Sequence, residues 1–407
     1  MSAVSSGRGS LPDLPGWYGA LATFLEPLGA RWGQGGDRAA WRARRGLDVP
    51  RGEAWIHAAS VGEASGVAPL VAAWRARHPQ DSLIASALTP GGRAALSKLA
   101  GVRVTAPPYE TPACARRSVG ASGITRLLLL ETEIWPAWLA ASLEAGVKIA
   151  VANARLSDRG WPRYQKLRSW LAPLVSRLTA VAAQSEIDAG RWRELGVPRE
   201  RVRVTGNTKY ESAAALAPPT AAEREAARRR FGLDDSDTVC VWGSLRPAEE
   251  KWLALALREE SVRHLVVPRH PEQWRGRELP GQESGRAIWL LELGVLLDAY
   301  RAGDLAVMGG TLGPYGGHNA LEPAALGLPV LLGPSTQNLG DVARALEQAG
   351  GAARIKNLSF LQDGILRWGH DAKARSLAAA GARQVASTLV GAAGRVLDHL
   401  ESRGFWS

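Results

Sequence analysis

The strongest constraint on this chain's fold is an alternation: short apolar runs rich in β-branched and small residues, each followed by a longer segment with helical spacing. Apolar runs of about four to eight residues read as buried strands, and helices interposed between them require parallel pairing. In the first half the strand candidates are AWIHAA (54–59), SLIASAL (82–88), VRVTA (102–106), TRLLLLE (125–131), KIAVANA (148–154) and LTAVAAQ (178–184), and VRVTGN ends at Asn207. Helical segments such as Gly66 to Arg77 and Ala137 to Ala145 lie between them. After the Pro pair in LAPPTAAEREAARRRFG the alternation restarts with TVCVWGS (238–244), HLVVPRH (264–270), AIWLLE (287–292), LAVMGG (305–310) and PVLLGP (329–334). The fold class is therefore α/β. The restart predicts two Rossmann-like domains, 46–207 and 221–407, joined by a hinge at 208–220 and preceded by an N-terminal segment, 1–45. A closing helix around 371–400 is grouped with the second domain, although its pattern suits packing on either.

Length agrees with this division, since 407 residues exceed one ordinary core at roughly 150 residues per domain. Cys114 and Cys240 lie far apart without metal-ligand spacing, which excludes a disulfide framework and suits a reducing compartment, the cytoplasm by default. The net charge of +11 reflects either Arg-rich residue usage or a localised patch for nucleic acid, anionic lipid or a phosphorylated substrate. No basic stretch is interleaved with aromatics, so nucleic acid ranks last. No apolar run reaches the roughly 20 residues of a spanning helix. The nearest, WYGALATFLEPLGARW (Trp17 to Trp32), is interrupted by Glu26 and Pro27. With Arg31, Arg38, Arg42, Arg44 and Arg45 around it, this stretch is either an interfacial anchor on acidic lipid or a helix docked on the protein's own core. Neither a signal peptide nor a cleavage site is present.

Doubly wound sheets bind ligands beyond the carboxyl ends of their strands, and the unusual polar residues fall there. HAASVGEASG places Glu63 at a strand-to-helix turn, where it is either a general base or an ordinary helix-start residue. ETEIWP puts Glu131 and Glu133 at the end of a strongly apolar strand, so Glu131 is buried with a partner or exposed at the ligand edge. Lys209 in TGNTKY, one of only seven lysines, could stabilise charge developing on a substrate. In the second series, Arg269 and His270 follow a strand and could face a phosphate. The run GGTLGPYGGHNALEPAALGLPVLLGP ends a strand in glycines and opens a helix at Asn319 to Glu322, where Glu322 could accept from ribose hydroxyls. Walker A and G-x-G-x-x-G motifs are absent, which weakens kinase-like and NAD-dependent readings. His57, His270 and His318 lie in separate units without metal-ligand spacing, and no G-x-S-x-G supports a hydrolase.

Taken in order, WIHAASVGE, ETEIWP, ANARLSDR, GNTKY, VPRHPE and GGHNALEPAALGLPVLLGP resemble the Kdo (3-deoxy-D-manno-octulosonic acid) transferases of lipid A biosynthesis, from about Trp41 to the last helix. The resemblance implies a GT-B fold, two Rossmann-like domains facing across a cleft. It implies inverting transfer of Kdo from CMP-Kdo to a phosphorylated lipid A precursor, with no metal or other cofactor, at the cytoplasmic face of a bacterial inner membrane. By this resemblance Glu63 matches the catalytic base, and Glu131 and Lys209 match two transition-state stabilisers. Pro268 and Arg269, the triplet Leu293, Gly294 and Val295, and Asn319, Ala320, Leu321 and Glu322 fall on the three CMP-contacting segments. The chain departs from the family at two places: LLELGVLLD lacks the family's acidic residue at Val295, and only Trp17 to Trp32 remains of its apolar anchor. A transferase for another CMP-activated ulosonic acid or another acceptor, and a silent nucleotide-binding relative, are the alternatives.

Overall fold

A computed structural model describes residues 37–407. The expected anchor at Trp17 to Trp32 lies outside the described residues. The described residues divide into two compact units, one of residues 37–211 and 391–407, the other of residues 212–390.

The first unit is built on a seven-stranded sheet, β1 (Ala54–His57), β2 (Leu83–Ser86), β3 (Val102–Thr105), β4 (Arg126–Leu130), β5 (Lys148–Ala154), β6 (Ala180–Ala183) and β7 (Val202–Val204), in the order β3-β2-β1-β4-β5-β6-β7. Every pairing is parallel. β1, β2 and β6 are buried along their whole length, as expected of strands covered by helices on both faces. The apolar runs therefore carry no polar alternation. One face packs around Trp55, Trp138 and Trp192, and the other around Trp74, Leu83 and Ala180.

The second unit carries six parallel strands, β8 (Thr238–Leu245), β9 (Val262–Pro268), β10 (Ala287–Trp289), β11 (Leu305–Met308), β12 (Val330–Leu332) and β13 (Ala352–Arg354), in the order β10-β9-β8-β11-β12-β13. Both sheets reverse direction of growth beside their first strand, the switch point at which doubly wound folds take ligands.

Two expectations about the boundaries change. The single closing helix is two helices, Ala372–Thr388 and Ala392–Ser402, separated at Gly391, which adopts φ 80°. The later one leaves the expected 221–407 domain for the first unit. Its Val396, Leu397 and Leu400, with Phe405, share the buried cluster of Trp74 and Leu83, so its apolar face decides its place. Lys209, expected in the hinge, lies in the first unit, on a 3-10 turn spanning Thr208–Tyr210.

Candidate active site

In the first unit the polar residues gather at the carboxyl ends of β1, β4 and β5. Ser60 caps the short helix Val61–Ala64, its hydroxyl accepting from the Glu63 amide at 3.4 Å. The Glu63 carboxylate turns back and accepts from the Ala59 amide at 2.7 Å, a reciprocal cap that fixes its orientation. The capping and the chemical reading of Glu63 are therefore compatible. Burial pushes this carboxyl up to about 7, against the Ala59 bond; the Glu131 and Glu133 charges add to the rise and Lys209 opposes it. These three groups thus act on Glu63 directly.

Glu131 follows β4 with φ 59°, a conformation non-glycine residues rarely adopt. Its amide is tied to the Ala152 carbonyl at 3.0 Å, and its carboxylate pairs with the Lys209 ammonium. Lys209 is held from behind. The Asn207 side chain accepts from its amide at 3.0 Å, and that of fully buried Asn153, at φ 54°, accepts from the Thr208 amide at 3.0 Å. A Cβ at Gly66 would stand 2.9 Å from the Thr208 hydroxyl and 3.3 Å from Lys209 Cγ, so glycine lets this turn press against the helix that follows Glu63. Glu133 is engaged separately: it accepts from the Trp135 indole at 2.6 Å and stands 3.5 Å from buried His57.

The second unit repeats the plan at the ends of β8, β9 and β11. Arg269 follows Pro268 and is exposed, its amide bonded to the Leu245 carbonyl at 3.0 Å. His318 accepts from Arg246 at 3.4 Å, and burial with the nearby Arg269, Arg246 and His270 lowers it to about 4, so it stays neutral. Arg246 also lies over the Tyr315 ring, 4.8 Å from its centre. The glycine-rich loop is held by Glu249, which is fully buried and accepts backbone bonds from Gly310, Leu312, Gly313 and Arg246 at 2.9 to 3.0 Å. Gly310, at φ +75°, would drive a Cβ to 2.8 Å from the His318 ring.

Of the expected contact residues, Ala320 and Leu321 bury their side chains completely. Asn319 donates to Glu322 at 3.2 Å and accepts from the Leu321 amide at 3.1 Å. Burial raises the Glu322 carboxyl, against the Asn319 bond and the Arg269 charge. Leu293 is 84% exposed, Gly294 adopts φ 88°, and Val295 is 4% exposed in an apolar cluster with Val241, Leu265 and Tyr300. Sequence reasoning did not single out Asn153, Arg246 or Glu249. Position just past or within a strand end was the available signal.

Residues 37–212 match the family model described as 3-deoxy-D-manno-octulosonic-acid transferase (kdotransferase). A Bordetella pertussis protein named 3-deoxy-D-manno-octulosonic acid transferase is 30% identical over 396 residues, 89% of this chain and 90% of that protein. The chain belongs to the 3-deoxy-D-manno-octulosonic acid transferase family. It is thus a glycosyltransferase of the Kdo transferase type. A Haemophilus influenzae protein of the same name is 29% identical over 74% of this chain and 75% of its own length. Among solved structures, a glycosyltransferase from Rickettsia africae is similar at TM-score 0.60 and 13% identity, covering 87% of this chain and 98% of that one. Anabaena Alr3699/HepE in complex with UDP is similar at TM-score 0.60 and 14% identity, over 86% of this chain and 100% of that one. The fold is GT-B. Among the described residues no group of three or more His, Cys, Asp or Glu side chains is placed to hold a metal ion, and no helix is long and apolar enough to cross a membrane.

Proposed function

We propose that this glycosyltransferase moves Kdo from CMP-Kdo to a phosphorylated lipid A precursor, inverting the anomeric centre without a metal ion or other cofactor. The observation that carries this reading is the half-buried Glu63 carboxylate, oriented by the Ala59 amide and flanked by the Glu131–Lys209 ion pair. An acceptor hydroxyl must lose its proton as its oxygen attacks the anomeric carbon, and a carboxyl near 7 is well matched to take it at neutral pH. As the new bond forms, the bond from the anomeric carbon to the CMP phosphate breaks and its electron pair leaves with CMP. Lys209 carries a cation that opposes developing negative charge, and Glu131 holds that cation in place.

In the second unit Arg269 and Arg246 would take the CMP phosphate, with neutral His318 between their charges. Pro268, Gly294 and the backbone of Asn319, Ala320 and Leu321 would complete the nucleotide contacts, and Glu322 would accept from the ribose. Leu293 would contribute through its exposed side chain and Val295 through its main chain. The enzyme would work on the cytoplasmic face of a bacterial inner membrane, in peripheral contact with anionic lipid, which the +11 net charge favours.

The test is acceptor-dependent release of CMP from CMP-Kdo by the purified full chain. Release that Glu63→Gln abolishes supports the reading. CMP binding without release of CMP from CMP-Kdo, whichever lipid A precursor is supplied, would overturn the donor and acceptor named here.

A further inference from the structure

Two adjoining hollows open at the amino ends of β6 and β7, on the sheet edge opposite the one that carries Glu63, Glu131 and Lys209. One, of about 530 Å³, is lined by Arg193, Arg199, Arg203 and Arg403. The other, of about 540 Å³, is lined by Arg177, Arg201 and again Arg403. Glu200 and Ser402 border both, and Glu200 is the single acidic side chain in either lining. All of these residues belong to the first unit.

The backbone arrangement explains why the arginines converge. The turn Arg199–Arg201 leads into β7, and Arg201 donates to the Ser176 and Leu178 carbonyls at 3.1 and 3.0 Å, tying it to the loop before β6. His399, 2% exposed on the last helix, donates from Nε2 to the Arg201 carbonyl at 3.0 Å and seats Ser402 and Arg403 beside the same turn. Burial first, then the charges of Arg403 and Arg203, hold this histidine low and neutral, so both guanidinium groups act on one floor.

Several arginines elsewhere in the molecule hold a carboxylate: Arg77, Arg116, Arg224 and Arg301 each have one within 2.8 Å. Here Arg199, Arg203 and Arg403 have no ion pair among the described residues. Arg193 reaches Glu186 only at 3.8 Å, and its Nε is buried without a hydrogen-bond partner. Like charges that outnumber the carboxylates beside them repel one another, and an anion in the hollow relieves that repulsion. The forked guanidinium matches phosphate oxygens, and neither lining contains an exposed large apolar side chain that would favour an acyl chain.

We propose that these hollows form a second anion site, separate from the reacting centre, that takes a phosphate-bearing ligand: a free diphosphate or phosphorylated sugar, or the phosphate of a lipid headgroup. The site lies in the first unit, whereas the proposed CMP contacts lie in the second, so its occupancy is measurable independently of the donor.

The experiment compares the full native chain with Arg203→Gln/Arg403→Gln and with Glu200→Gln, all shown to be folded by circular dichroism. One arm measures binding of inorganic pyrophosphate by calorimetry at low salt. The other measures flotation with phosphatidylglycerol vesicles against phosphatidylcholine vesicles. Loss of charge-assisted bonds in the double variant is expected to weaken phosphate binding about tenfold or more, and Glu200→Gln to strengthen it several-fold. A loss confined to flotation identifies a headgroup phosphate; a loss confined to pyrophosphate identifies a free ligand. A double variant that matches the native chain in both arms overturns the site.

Discussion

Glu63 in the first unit and Glu249 in the second are both carboxylates raised by burial at a strand-to-helix connection, yet their hydrogen bonding differs. Glu249 accepts four backbone amides and has no capacity left. Glu63 accepts one amide at 2.7 Å and has a distant contact with the Ser60 hydroxyl at 3.4 Å. A saturated buried carboxylate holds architecture, whereas an unsaturated one beside an ion pair retains a lone pair for a proton. Hydrogen-bond saturation therefore separates the two roles where burial and pKa direction do not.

The sharpest way to break this distinction is Glu63→Gln. It keeps the shape and the bond from the Ala59 amide while removing the proposed base, and it should lower kcat by about 10² to 10⁴ with little change in stability. A single-turnover rate within threefold of native would remove Glu63 from the chemistry. Lys209→Met should lower kcat by about 10² to 10³, as loss of one preorganised charge-stabilising group does.

The same pair sharpens the comparison through pH. A base with its pKa at about 7 must be ionised to act, so the rate should climb about tenfold per pH unit below 7 and level off above it. Lys209 lowers the Glu63 pKa, so Lys209→Met should also move this limb to higher pH. A limb left in place would mean that another group sets it.

Much of this architecture was legible because buried parallel strands leave continuous apolar runs. RLLLL announces β4 and LAVM announces β11 without any partner being known. β13 escaped notice because Ala352–Arg354 is three residues long, ends in a charge and is only partly buried. The six ordered motifs pointed to Glu63, Glu131 and Lys209, but not to how they meet. The positive φ at Glu131 and Asn153, and the reach of Lys209 across the sheet, are tertiary facts. Glu249 and Glu250 are indistinguishable in PAEE. Only the fold buries the first and leaves the second partly exposed, paired with Arg277 at 2.8 Å.

Glu249→Gln tests the architectural half. A glutamine presents an NH₂ group where two backbone amides now donate, leaving buried donors unsatisfied at about 1–3 kcal/mol each. Urea unfolding should show that loss. The displaced glycine loop should raise the KM for CMP-Kdo several-fold while kcat changes less than twofold. A fall in kcat at unchanged KM would instead make Glu249 a participant in the reaction.

The smallest expected effects come from neighbours that the sequence alone cannot rank. Leu293 and Val295 flank Gly294 and both stand where the resemblance implies nucleotide contact, yet one side chain is 84% exposed and the other 4%. Val295 fills part of the cluster around Val241 and Leu265, so Val295→Ala should cost about 1–2 kcal/mol of stability and leave CMP affinity unchanged. Leu293→Ala should shift stability by less than about 0.5 kcal/mol, as substitutions on open surface do. Any change in CMP affinity should then follow Leu293, whose side chain is free to meet a ligand. If CMP affinity falls with Val295→Ala and not with Leu293→Ala, this turn serves the donor by its packing, and the missing carboxylate at 295 is replaced by rigidity.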